Sequence, residues 1–186
     1  MSFTAADRIK EIAIIIITII VIIAVWRFRS RRKPLSDTGC RQNYTRLRAL
    51  FDTVVEDHDQ FGMVYAYVED TSGTGGILSS TPFVYMSYAV GFNAIANELV
   101  LLRIKVDWSG HGDPLCLTNV GVESAWLKQA SDLIKIGIQD ARLPKQFIEL
   151  HIPWQISQDS DGEVLQIKQN DEANQFLEFF NKQFSK

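Results

Sequence analysis

Cysteine is nearly absent: two residues, Cys40 and Cys116, are too few for a disulfide scaffold or a four-thiolate zinc centre. Five prolines and eleven glycines in 186 residues exclude collagen-like and low-complexity classes. Catalytic signatures are missing as well. No G-x-x-x-x-G-K-[ST], H-E-x-x-H or G-x-S-x-G pattern occurs, and no internal repeat. What remains is a chain that is 46% hydrophobic and 22% charged, globular in character and near the size of one domain.

Charge is divided unevenly along it. The first 33 residues hold seven Lys+Arg against two Asp+Glu, net +5, whereas the rest holds 12 against 20, net −8. Within the basic part lies Ile12 to Trp26, IAIIIITIIVIIAVW, whose fifteen residues are broken only by Thr18. At 1.5 Å per residue the run covers roughly 22 Å, so its flanks must contribute to crossing a hydrocarbon core of ~30 Å. This pattern predicts a transmembrane helix over 12–28, anchored by Ile12, Ile16, Ile20, Ile23 and Trp26. A cleaved signal peptide would need an A-x-A-like site, which Val25 to Arg29 lacks. A globular or interfacial helix would need a polar stripe, and isoleucine occupies every face.

Orientation is expected from the basic collar Arg27, Arg29, Arg31, Arg32 and Lys33, which outweighs Arg8 and Lys10. The positive-inside rule then puts the C-terminal domain in the cytoplasm, as a single-pass protein of a bacterial inner membrane whose first partner is the lipid bilayer. Unpaired cysteines and an unused Asn43-Tyr44-Thr45 sequon fit that compartment, whereas a Cys40–Cys116 disulfide would mean the reverse topology. The expected organisation is a tail over 1–11, the spanning helix over 12–28, collar and linker over 29–42, and a soluble domain over 43–186.

In the soluble domain, Tyr44, Leu47, Leu50, Phe51, Val54 and Val55 recur at helical spacing. Strands are expected at Gly62 to Glu69, Phe83 to Phe92, Glu98 to Val106, Leu115 to Val122, Leu133 to Gln139, Gln146 to Ile152 and Glu163 to Lys168. Glu123 to Ala130 reads as a short helix. The chain closes with an amphipathic helix capped by Asn170, its apolar face formed by Phe176, Leu177, Phe179, Phe180 and Phe184. The fold class is therefore α+β: a transmembrane helix, then an antiparallel β-rich domain whose C-terminal helix covers a curved sheet. The phrase Ile148-Glu149-Leu150-His151-Ile152-Pro153-Trp154 resembles the "IPW" strand end of small uncharacterised bacterial PH- or GRAM-like proteins. That resemblance implies a PH-like barrel and no particular activity.

Chemistry has few places to reside. Asp70 to Gly76, DTSGTGG, has the glycines of a phosphate loop without its Lys-Ser/Thr, and reads as a strand connection. Asp107 to Asp113, DWSGHGD, offers Ser109 as nucleophile, His111 as base and Asp113 as its orienter; Asp107, His111 and Asp113 would be the metal-binding alternative. An ordinary polar hairpin loop accounts for the same residues. His58 and His151 read as structural, and Asp159 to Glu163 as a turn lacking the spacing of a calcium loop. The acidic domain argues against nucleic acid, and neither a cofactor nor a metal is implied. The expected function is a membrane-anchored, non-enzymatic interaction or scaffold module with a protein partner; the alternative is a tethered hydrolase acting through Asp107 to Asp113.

Overall fold

A computed structural model of the chain describes Thr18 and residues 37–70, 84–143, 145–156 and 165–184. The chain divides into two compact units, Met1–Pro34 and Leu35–Lys186. Of the first unit only Thr18 is described, helical and exposed. The second is a mostly antiparallel β-sheet domain with two helices, α1 (Asp37–Val54) and α2 (Asn170–Gln183). Its strands are β1 (Gly62–Asp70), β2 (Val84–Asn93), β3 (Glu98–Ile104), β4 (Leu115–Thr118), β5 (Ser124–Gln129), β6 (Leu133–Gln139), β7 (Phe147–Pro153), β8 (Gln155–Ile156) and β9 (Ile167–Lys168).

Strands β1 to β7 form one sheet in the order β4-β3-β2-β1-β7-β6-β5, and β8 pairs with β9 separately. Neighbours in sequence thus lie side by side except β4 and β5, which take the two edges, and the distant strands β1 and β7 meet at the centre through the pair Tyr67 and His151. Alternation sorts the side chains. One face gathers Val64, Val90, Leu101, Ile134, Ile136, Ile138, Leu150 and Ile152 with Phe176, Phe179 and Phe180 of α2. On the opposite face, Met63, Tyr65, Ala89, Val100 and Leu102 of β1 to β3 pack against Leu47 and Phe51 of α1 and against Leu165 and Ile167. Full burial of Leu47 and Phe51 contributes about 2–3 kcal/mol each and holds α1 to the sheet. Arg48 ties the end of α1 to the following turn, donating to the carbonyls of Phe61 and His58, both at 2.7 Å.

Several expectations are corrected. Among the described residues no helix is long and apolar enough to cross a membrane. Both described helices of the domain keep a charged side, with Arg41, Arg46, Arg48 and Asp52 on α1 and Asp171, Glu172, Glu178 and Lys182 on α2. This overturns the fold class with a transmembrane helix over 12–28 and the single-pass inner-membrane placement with a cytoplasmic domain. Ile12, Ile16, Ile20, Ile23 and Trp26, and the collar Arg27, Arg29, Arg31, Arg32 and Lys33, lie outside the described residues. Helix α1 begins at Asp37, inside the stretch expected as linker, because Cys40 is buried one helical turn before Tyr44. Glu123 to Ala130 is not a short helix: its central residues are β5, which pairs along its length with β6. Asn170 does not cap α2; Gln169 holds the N-cap position and makes no side-chain cap, since its carboxamide is used elsewhere.

Candidate functional site

The loop expected to carry chemistry is built from local bonds. Lys105 N–H donates to Gly110 O at 3.0 Å, Trp108 N–H to Lys105 O at 2.9 Å and Gly112 N–H to Arg103 O at 2.9 Å, which closes a tight excursion beyond β3. Trp108 sits at φ 62, in the left-handed region, and its ring packs back onto the α1-side core. That packing explains why a bulky residue holds such a conformation. The Ser109 amide donates to Asp107 Oδ1 at 2.9 Å, and this bond holds the Asp107 carboxyl below the usual carboxylate range.

Ser109, His111 and Asp113 are all exposed, and no hydrogen bond links them. His111 Nδ1 lies 2.9 Å from the carbonyl of Gly112, so one ring nitrogen is engaged locally rather than with Ser109 or Asp113. Nucleophile, base and orienter are therefore not assembled. Among the described residues no group of three His, Cys, Asp or Glu could hold a metal ion, so Asp107, His111 and Asp113 are not brought together as ligands either. Asp70 to Gly76, apart from the Asp70 backbone, and Asp159 to Glu163 lie outside the described residues. His58 stands between Asp52 at 3.4 Å and Asp59 at 3.2 Å at the end of α1. Cys40 and Cys116 are both free, so the disulfide of the reversed topology is not formed.

Instead, the structure gathers polar and aromatic side chains on the half of the sheet that α1 leaves bare. The α1-side core draws its residues from β1, β2 and β3 but none from β5, β6 or β7. On those three strands the same face carries Ser124, Trp126 and Lys128; Lys135, Gly137 and Gln139; and Phe147, Glu149 and His151. At its centre His151 is 6% exposed and lies between two carboxylates, with Nε2 3.0 Å from Glu149 Oε1 and Nδ1 3.5 Å from Glu69 Oε1. Its ring meets that of Tyr67 edge-on at 5.2 Å between centroids. Lys135 Nζ adds a cation 3.8 Å from Glu149.

Gly137 lets an aromatic ring lie flat beside this cluster. A Cβ there would fall 2.2 Å from Trp126 Cε2 and Nε1, so only glycine allows the indole to cross β6. Lys128 Nζ stands 5.3 Å from the Trp126 ring centroid. Phe147 is 44% exposed at the far end of the face. Sequence reasoning placed His151 in a strand but missed its partners, because Glu69 is 82 positions away and meets it only through the β1–β7 pairing. The alternation of Lys135, Gly137 and Gln139 against Ile134, Ile136 and Ile138 was the available signal. No family model matches the chain, and no curated protein or solved structure matches it either.

Proposed function

We propose that the domain is a non-enzymatic interaction module whose docking surface is the bare face of β6 and β7, and that its partner is a protein surface bearing basic side chains. The supporting observation is the convergence of Glu69 and Glu149 on the buried His151, beside exposed Phe147 and the Trp126 ring, on a sheet face that no described element covers. The His151 ring holds the Glu149 carboxylate from behind through Nε2 at 3.0 Å, while Glu69 lies 3.5 Å from Nδ1, which makes no hydrogen bond among the described residues. One carboxylate of the pair is thus in place before a partner arrives, and the ordering cost of binding is reduced. Flanking aromatic rings supply apolar area at low conformational cost. The net charge of −8 beyond Lys33 favours approach by a basic partner and disfavours nucleic acid. An antiparallel sheet closed by a C-terminal helix is also the layout that the PH/GRAM-like resemblance implies, and such a fold favours neither catalysis nor binding by itself.

The hydrolase alternative has less support, because Ser109, His111 and Asp113 make no mutual contact. The test is in-cell photocrosslinking from position 147, comparing the otherwise wild-type chain with a Glu69→Lys, Glu149→Lys double variant. The expected result is loss of a defined set of crosslinked proteins while the melting curve stays cooperative. An unchanged set would overturn the reading. Substrate turnover that His111→Ala abolishes would establish the alternative.

A further inference from the structure

The sheet ends at β5, and its outer edge meets no other strand among the described residues. Which backbone groups lie along that edge follows from the register. Ala130 N–H donates to Leu133 O at 2.8 Å, so Ala130 and Leu133 are a hydrogen-bonded pair. Alternation then makes Lys128 with Lys135, Trp126 with Gly137 and Ser124 with Gln139 the pairs bonded to β6. The N–H and C=O groups of Ala125, Leu127 and Gln129 consequently point away from the sheet. Leu127 and Ala125 also pack on the rim of the α2-side core while remaining partly exposed.

We infer that β5 is a self-association edge, pairing antiparallel with β5 of a second copy about a two-fold axis at Leu127. In that register Leu127 exchanges two backbone bonds with the partner's Leu127, and Ala125 exchanges two with the partner's Gln129. The side chains agree with this choice. Trp126 faces the partner's Lys128, so the cation–π contact that the strand makes within itself at 5.3 Å is repeated twice across the axis. Leu127 meets its own copy on the core side, extending apolar packing from one sheet to the next. Moving the axis to Lys128 would set two ammonium groups against each other, which is unfavourable. A second copy is thus complementary in electrostatics and hydrogen bonding at one register, as an isologous two-fold interface requires.

This inference goes beyond the proposed docking face and does not rest on it, since the faces of β6 and β7 stay open in both copies. It would make that face bivalent.

Sedimentation velocity of the full chain, over a concentration series, is the test. Wild type is expected to run at twice the chain mass. Leu127→Pro removes an outward N–H that β6 does not use, so it is expected to run as a monomer with an unchanged far-ultraviolet spectrum. Trp126→Lys, which places ammonium against ammonium, is expected to be monomeric, whereas Trp126→Glu, which gives the partner's Lys128 a carboxylate, stays dimeric. A monomeric wild type across the series overturns the inference, as does a dimeric Leu127→Pro chain. If that variant fails to fold, equal behaviour of Trp126→Lys and Trp126→Glu overturns it. Crosslinking lost by the Glu69→Lys, Glu149→Lys chain would leave this mass unchanged, so the two readings fail separately.

Discussion

Gln169 completes the backbone of Tyr65 where β1 and β7 separate. Its Oε1 accepts the Tyr65 N–H at 2.7 Å, and its Nε2 donates to Tyr65 O at 2.9 Å and to Pro153 O at 2.8 Å. Beyond the pair Tyr67 and His151 the next position opposite Tyr65 is Pro153, which has no N–H to give. A carboxamide carries both a donor and an acceptor, so it stands in for the ladder hydrogen bonds that Pro153 cannot complete. The same residue starts α2, because its carbonyl accepts from Ala173 N–H at 2.8 Å. One side chain therefore joins the sheet centre to the helix that covers the core.

From this arrangement Gln169→Leu is expected to destabilise the domain by about 3 kcal/mol or more, since it orphans several buried backbone groups rather than removing one exchangeable bond. Urea unfolding followed by tryptophan fluorescence reads the change as a shift of the midpoint. Gln169→Glu should cost more at pH 8 than at pH 5: an ionised carboxylate would face the carbonyls of Tyr65 and Pro153 with no proton to donate. A midpoint within experimental error of wild type for both variants would show that the bridge is dispensable.

Helix α1 lies close to the sheet because Gly91 leaves room for it. A Cβ on Gly91 would sit 2.2 Å from Phe51 Cζ and 3.2 Å from Phe61 Cδ1, and the Phe51 and Phe61 rings are themselves in edge contact at 6.0 Å. Gly91→Ala is therefore expected to cost about 1–3 kcal/mol through overpacking. Shortening the opposing side chain should restore part of that loss, so Phe51→Leu and Gly91→Ala together should be less damaging than the sum of the two alone. Additive losses in thermal or urea unfolding would argue that the two residues do not share this contact.

Much of this layout was legible along the chain, and the exceptions have physical causes. Strand β6 is read directly from Leu133 to Gln139, since its three isoleucines alternate with Lys135, Gly137 and Gln139 and each set faces one way. Strand β5 misleads because Ala125, Leu127, Lys128 and Gln129 are good helix formers; pairing with β6 overrides that propensity, and only Ala125 and Leu127 at period two reveal it. The cap of α2 misleads for another reason. Asn170 has the preferred side chain, yet the position is set by the tertiary task of Gln169, which no local pattern contains. Of the polar face around His151, the strand and its alternation are local information, whereas Glu69 arrives through a long-range pairing.

Asp140 links acid stability to the turn between β6 and β7. Its buried carboxylate accepts three bonds from Arg142, from the backbone N–H at 2.9 Å, Nε at 2.8 Å and Nη2 at 2.6 Å. The Arg142 side chain holds that carboxyl below its ordinary value. Because the folded value is depressed, the stabilisation is fully present above the unfolded value of about 3.9 and is lost as pH falls through the folded value. Asp140→Asn should cost about 2 kcal/mol at pH 7, and the gap from wild type should narrow below pH ~4 as the carboxylate is protonated. A gap that stays constant from pH 7 to pH 3 would contradict the pairing.

Both thiols are poised to be slow nucleophiles. Cys116 is exposed on β4, but desolvation and then the nearby Glu98 carboxylate push its thiol upward. Cys40 is buried on α1, and burial followed by the Asp37 charge raises it too. Only the thiolate attacks a disulfide reagent. At pH 7.4 one thiol per chain, Cys116, should therefore react with Ellman's reagent several-fold more slowly than a free cysteine, with a rate that still climbs above pH 9. The second should appear only after unfolding in denaturant. Glu98→Gln removes the charge that raises the Cys116 thiol, so its reaction should accelerate at pH 7.4 while Cys40 remains protected. An unchanged rate in that variant would mean that burial alone governs the Cys116 thiol.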